Sequence, residues 1–136
     1  DEPYSPELVE RIAHQILEQG VGIVVISAGE HGLYLKTASA DRLRAGGAVL
    51  APLADTWSDR SMSIAPLAVQ EPVTTTGTGD ASTAGLLFGL SSGATPEESL
   101  ALAVACSATV MSGSGISKDT VIKQNPALAS VFNKQQ

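Results

Sequence analysis

The stretch Thr74-Thr75-Thr76-Gly77-Thr78-Gly79-Asp80 constrains this chain more than any other. Two glycines one residue apart let the backbone turn tightly and leave its amides uncovered. The residues that follow, Ala81 to Leu90, are apolar or small and contain no proline, which predicts a helix starting at Asp80. A helix start adds free N–H groups and the positive end of a dipole, so the loop and helix together make an anion site. A carboxylate there would repel a bound phosphate. It has a purpose if it takes a proton from a hydroxyl attacking that phosphate, while the amides stabilise charge on the transferring group. On their own, the four residues Gly77 to Asp80 suit equally well an ordinary glycine turn with Asp80 as helix cap. Gly77 to Ser82 lacks the third glycine of a dinucleotide fingerprint, and no Gly-Lys-Ser/Thr phosphate loop occurs anywhere.

The surrounding chain reads as a mixture of helices and strands. Ser5 can cap a helix with Pro6 and Glu7 in its first turn, and Leu8, Val9, Ile12, Ala13, Ile16 and Leu17 recur on one face before Gly20 stops it. Val21 to Ile26 is a β-branched run of the kind buried on both faces of a sheet. Ser27 to Gly32 is a turn, and Leu33 to Lys36 a second strand, antiparallel because the connection is short. Val49 to Ala51 and Met62 to Ala65 are predicted as short strands flanking a loop that carries Trp57. Ala81, Ala84 and Gly85 would let the helix after Asp80 pack closely on a neighbour. Thr95-Pro96-Glu97-Glu98 carries a capping box and opens an apolar helix through Ala105 towards Met111. Gly113 and Gly115 end it, and Asn125-Pro126 starts a short terminal helix. This order implies an α/β layer fold.

Composition narrows the function. With 136 residues, one domain or part of one is expected. Apolar residues make up 43 % and aromatics only 4 %, so aliphatic side chains must fill the core. Eight Lys and Arg against fourteen Asp and Glu give a net charge of −6, which argues against nucleic acid and anionic membranes as partners. No apolar run approaches the ~20 residues of a membrane span, and no signal peptide opens the chain. The single cysteine, Cys106, excludes an internal disulfide and fits a reducing cytoplasm.

Thr74 to Leu87 resembles the second signature of the PfkB/ribokinase family of carbohydrate kinases, with Thr75, Thr76, Gly77, Gly79, Asp80, Ala84, Gly85, Leu86 and Leu87 matching. Val24 to Gly32 is similar to the family's strand and Thr-Leu-Gly-x-x-Gly nucleotide loop, and Thr95 to Gly115 to its helix and glycine turn near the adenine. The resemblance implies a ribokinase-like fold: a Rossmann-type layered sheet with flanking helices, present as a partial domain. It also implies ATP-dependent phosphorylation of a sugar or nucleoside hydroxyl, with magnesium bridging the phosphates. Asp80 would be the catalytic base, the amides of Gly77, Thr78 and Gly79 the anion hole, and Ser27, Gly29, Glu30 and Gly32 the nucleotide lining. Thr74 stands where the family has Asp or Asn, a position associated with monovalent cations, which leaves potassium activation open. Thr78 replaces the usual alanine and also occurs in pyridoxal-type vitamin kinases of the superfamily.

The family's Gly-Gly-x-x-x-Asn and Asn-x-x-Glu motifs do not occur before Val21. By resemblance, residues 1–136 are the C-terminal nucleotide-binding and catalytic portion of a kinase. The isolated chain is expected to be inactive, and the intact protein to be a cytoplasmic homodimer. Two rival readings are a vitamin kinase acting on a hydroxymethyl group and a non-catalytic nucleotide-binding module. His14 and His31 read as solvated, Cys106 as a buried packing residue, and Trp57 as an anchor for its loop. Asp55 and Asp59 form no recognisable metal motif.

Overall fold

Ser5 starts the first helix as its sequence predicts. Its hydroxyl accepts the Leu8 amide at 3.2 Å, and α1 runs over Pro6–Glu18. In the computed structural model, which describes residues 3–133, the chain divides into two compact units, one ending at Ala65 and the other beginning at Pro66.

In the first unit α1 packs on a three-stranded sheet of β1 (Ile23–Ser27), β2 (Leu33–Thr37) and β3 (Ser61–Ile64), in the order β1-β2-β3. Both pairings are antiparallel, with Val25 opposite Leu35 and Leu35 opposite Met62. The expected Rossmann-type layering is therefore corrected here: no parallel pair exists among the described strands. The turn between β1 and β2 is too short for the crossover a parallel pair needs. β1 is also not buried on both faces. It is an edge strand in which only Val24 is buried and Ile23, Val25 and Ile26 are half-buried. Val49 to Ala51 forms no strand. Residues 51–53 make a single 3-10 turn, between α2 (Ala40–Arg44) and α3 (Ala54–Trp57). Pro52 removes a ladder donor at that point. Trp57 ends α3 fully buried, and Ala13, Leu17, Val24 and Ala38 form the apolar cluster under α1.

The second unit is helical: α4 (Thr78–Ser91), α5 (Pro96–Met111), α6 (Lys118–Gln124) and α7 (Ala129–Asn133). α5 begins with the predicted capping box, Thr95 and Glu98 exchanging bonds of 3.0 and 3.1 Å. The terminal helix opens as a 3-10 turn at Pro126–Leu128, capped by the Asn125 side chain. α4 and α5 pack along a stripe of Ala81, Gly85 and Gly89, all buried. Ala84, expected on that face, is exposed, and Gly89 takes its place. The spacing of four residues, one helical turn, explains the exchange. A Cβ at Gly85 would lie 2.7 Å from the Leu102 carbonyl oxygen, so the two backbones touch there.

Candidate functional site

α4 starts at Thr78, two residues earlier than predicted, because Gly77 rather than Asp80 takes the cap position. Gly77 adopts φ 83°, the left-handed conformation that favours glycine, and its own side chain is absent from the cap. Upstream, the loop is tied to itself. The Thr76 amide donates to Thr74 Oγ1 at 3.0 Å, and the Thr75 carbonyl accepts the Thr78 hydroxyl at 2.9 Å. The Thr78 amide reaches that same carbonyl only at 3.4 Å. The amides of Gly77, Gly79 and Asp80 donate to no other group among the described residues. Nothing lies within 4 Å of where a Gly79 Cβ would stand, and Gly77, Gly79 and Asp80 are all exposed.

Asp80 is the third residue of α4 and is exposed. At that position a carboxylate can reach back to the cap amide, yet its side chain makes no hydrogen bond or ion pair among the described residues. The capping alternative therefore has no bond to support it. What remains is a carboxylate beside unoccupied amides at the positive end of a 14-residue helix.

Ser27, Gly29, Glu30 and Gly32 lie in the first unit, on the turn leaving β1. Residues 29–31 form a 3-10 turn closed by Ala28 N–H to Gly32 O at 2.9 Å and Gly32 N–H to Gly29 O at 3.0 Å. The two glycines differ in kind. Gly29 has φ 56° with open space around it, whereas a Cβ on Gly32 would fall 2.0 Å from the Ile64 carbonyl oxygen. Gly32 is thus required by the close pass of β3, and Gly29 by its own backbone angle. Glu30 is exposed and pairs with His31 at 3.7 Å. His31 is not simply solvated, because its ring stacks on Tyr4 with centroids 3.8 Å apart. His14 is exposed, 3.2 Å from Glu18. Cys106 is buried, and desolvation holds its thiol above the ordinary pKa. Asp55 binds Arg44 at 2.9 Å.

Two cavities were not foreseen. One, of about 440 Å³, lies in the first unit, and one of about 260 Å³ lies under α4 and α5, lined by Phe88, Leu102, Cys106 and Phe132. Neither is lined by the residues expected to act. The described residues hold no cluster of three His, Cys, Asp or Glu side chains able to grip a metal ion, and no described helix is long and apolar enough to cross a membrane.

The profile described as pfkB family carbohydrate kinase matches residues 2–122. Among solved structures, the chain is similar to phosphofructokinase-2 from Escherichia coli, determined as its tetrameric inhibited form. The TM-score is 0.66 at 22 % identity, over 94 % of this chain but 35 % of that one. The chain therefore spans about a third of that relative's length and shares its fold over that part, a mixed α/β portion of a ribokinase-like domain. No curated protein matches.

Proposed function

Because the chain belongs to the pfkB family of carbohydrate kinases, we propose that the polypeptide containing it transfers the terminal phosphoryl group of ATP to a hydroxyl of a sugar or nucleoside. The observation that carries this reading is the start of α4, where Asp80 lies exposed and unbonded beside amides that no protein group uses. Asp80 accepts the acceptor's hydroxyl proton as the new oxygen–phosphorus bond forms. The bond to the β-phosphate oxygen breaks, and ADP leaves with that electron pair. The free amides of the Gly77–Gly79 turn meet charge developing on the transferring group, where fixed donors act most strongly. Ser27, Gly29, Glu30 and Gly32 are proposed as nucleotide contacts. Magnesium, when bound, neutralises phosphate charge. The described residues offer it no carboxylate cluster. A cytoplasmic location and a homo-oligomeric intact protein belong to the same proposal.

Thr78 favours a second reading, a pyridoxal-type vitamin kinase acting on a hydroxymethyl group. Its hydroxyl fastens the turn to the Thr75 carbonyl, a bond the family's usual alanine cannot make.

The test is Asp80→Asn in the intact polypeptide, assayed against sugars, nucleosides and pyridoxal-type acceptors. Turnover should fall by roughly 10²–10⁴-fold, the usual contribution of a general base. Folding stability should change by about 1 kcal/mol or less, since only a carboxylate near a helix dipole is lost. Near-normal turnover in a folded variant would reduce Asp80 to a surface residue and remove it as the base, whereas a folded parent polypeptide that binds ATP and turns over none of these acceptors would leave a non-catalytic module.

A further inference from the structure

The cavity of about 440 Å³ in the first unit lies at the end of β2 away from the Gly29–Gly32 turn. Its charged lining is His14, Glu18, Lys36, Arg42, Asp59 and Arg60. Three of the eight Lys and Arg residues of a chain with net charge −6 converge there, from β2, α2 and the turn into β3. Arg42 Nη1 donates to the carbonyls of Leu17 and Val21, and Arg60 Nη1 to the Thr56 carbonyl at 3.3 Å. The carbonyl oxygens on Arg42 satisfy its geometry without cancelling its charge. The Nε and Nη2 groups of Arg42 keep their N–H donors without a partner among the described residues. Lys36 is 3.5 Å from Glu10, and its side chain is only 20 % exposed. On the acidic side, Glu18 is engaged by His14, while Asp59 holds the left-handed backbone at φ 54°.

We propose that this cavity binds a small phosphate-bearing molecule or free phosphate. Two guanidinium groups and an ammonium reaching in from three elements suit a tetrahedral oxyanion, since arginine's fixed donor fork pairs well with phosphate. The volume falls in the range of small-molecule sites and exceeds what bare phosphate fills. The two carboxylates in the wall set the sign of the test: removing a cation weakens the site and removing a carboxylate strengthens it.

The 136-residue chain is titrated calorimetrically at constant ionic strength with inorganic phosphate and with glycerol 3-phosphate. Saturable binding is expected, with a preference for the ester if the rest of the cavity contributes, and equal affinities if the oxyanion alone is read. Arg60→Gln and Lys36→Gln should each weaken binding roughly tenfold, and Asp59→Asn should tighten it roughly threefold, as single charges at close range do. Asparagine tolerates the left-handed backbone as aspartate does, so Asp59→Asn remains informative if a cation variant fails to fold. No saturation by either probe up to about 10 mM, or an Asp59→Asn variant that binds no tighter, overturns the proposal.

Discussion

Gly85→Ala sets two opposed effects against each other at the contact between α4 and α5. Alanine is favoured over glycine inside a helix by about 1 kcal/mol. At Gly85, however, the new methyl group would sit 2.7 Å from the Leu102 carbonyl oxygen, 2.9 Å from its carbon and 3.0 Å from Ala103 Cα. All three are backbone atoms of α5, so no side-chain rotation relieves them. α4 and α5 must separate, and the rest of the stripe at Ala81 and Gly89 loosens with them. Overpacking of this kind costs about 1–3 kcal/mol, towards the upper end where nothing can give. The net expectation is a loss of about 1–2 kcal/mol, or a fall in Tm of roughly 3–8 °C for a chain of this size. Urea and thermal melts followed by circular dichroism measure it. Gly79→Ala is the control, because its methyl meets nothing within 4 Å and lies in the same helix. If Gly85→Ala is as stable as the parent chain, the close approach of the helices is not a constraint and the packing argument fails.

Gly32→Ala combines a positive φ with a Cβ 2.0 Å from the Ile64 carbonyl oxygen, and should cost about 3 kcal/mol or more in urea unfolding; a smaller loss would mean that the β2–β3 edge shifts freely. Ser99 is fully buried with a hydroxyl that finds no partner among the described residues, so Ser99→Ala should be neutral or raise stability by about 1 kcal/mol, whereas a clear loss would reveal a hidden bond. Burial raises the Cys106 thiol pKa, so little thiolate forms at neutral pH and a disulfide reagent should react far more slowly with the native chain than in denaturant; equal rates would place the thiol at the surface.

Much of the helical structure was legible because its signals are local. A helix cap needs only the few residues around it, so Ser5 and the Thr95–Glu98 box appear in the structure as written in the chain. The start of α4 was misplaced by two residues for an equally local reason: glycine's left-handed angle put the cap at Gly77, and aspartate's good capping chemistry drew the reading to Asp80. That small shift matters, since it makes Asp80 an unbonded carboxylate within the first turn instead of a cap.

By itself the sequence determined the helices with caps, the antiparallel turn between β1 and β2, and the juxtaposition of glycine turn, helix start and carboxylate on which the proposed function rests. Each depends on neighbours within a few residues, where backbone sterics and hydrogen-bond geometry act alone. Tertiary structure decided which apolar residues are covered. The β-branched run of β1 reads as an interior strand and stands at an edge, Ala84 turns away while Gly89 meets Ser99, and Ile12 and Ile16 stay partly exposed beside the buried Val9, Ala13 and Leu17. Hydropathy marks a residue as able to be buried, but only the packed partner selects the side. The same holds for the cluster of Lys36, Arg42 and Arg60: their spacing in the chain carries no motif, and only the folding of β2, α2 and β3 around one cavity brings their charges together.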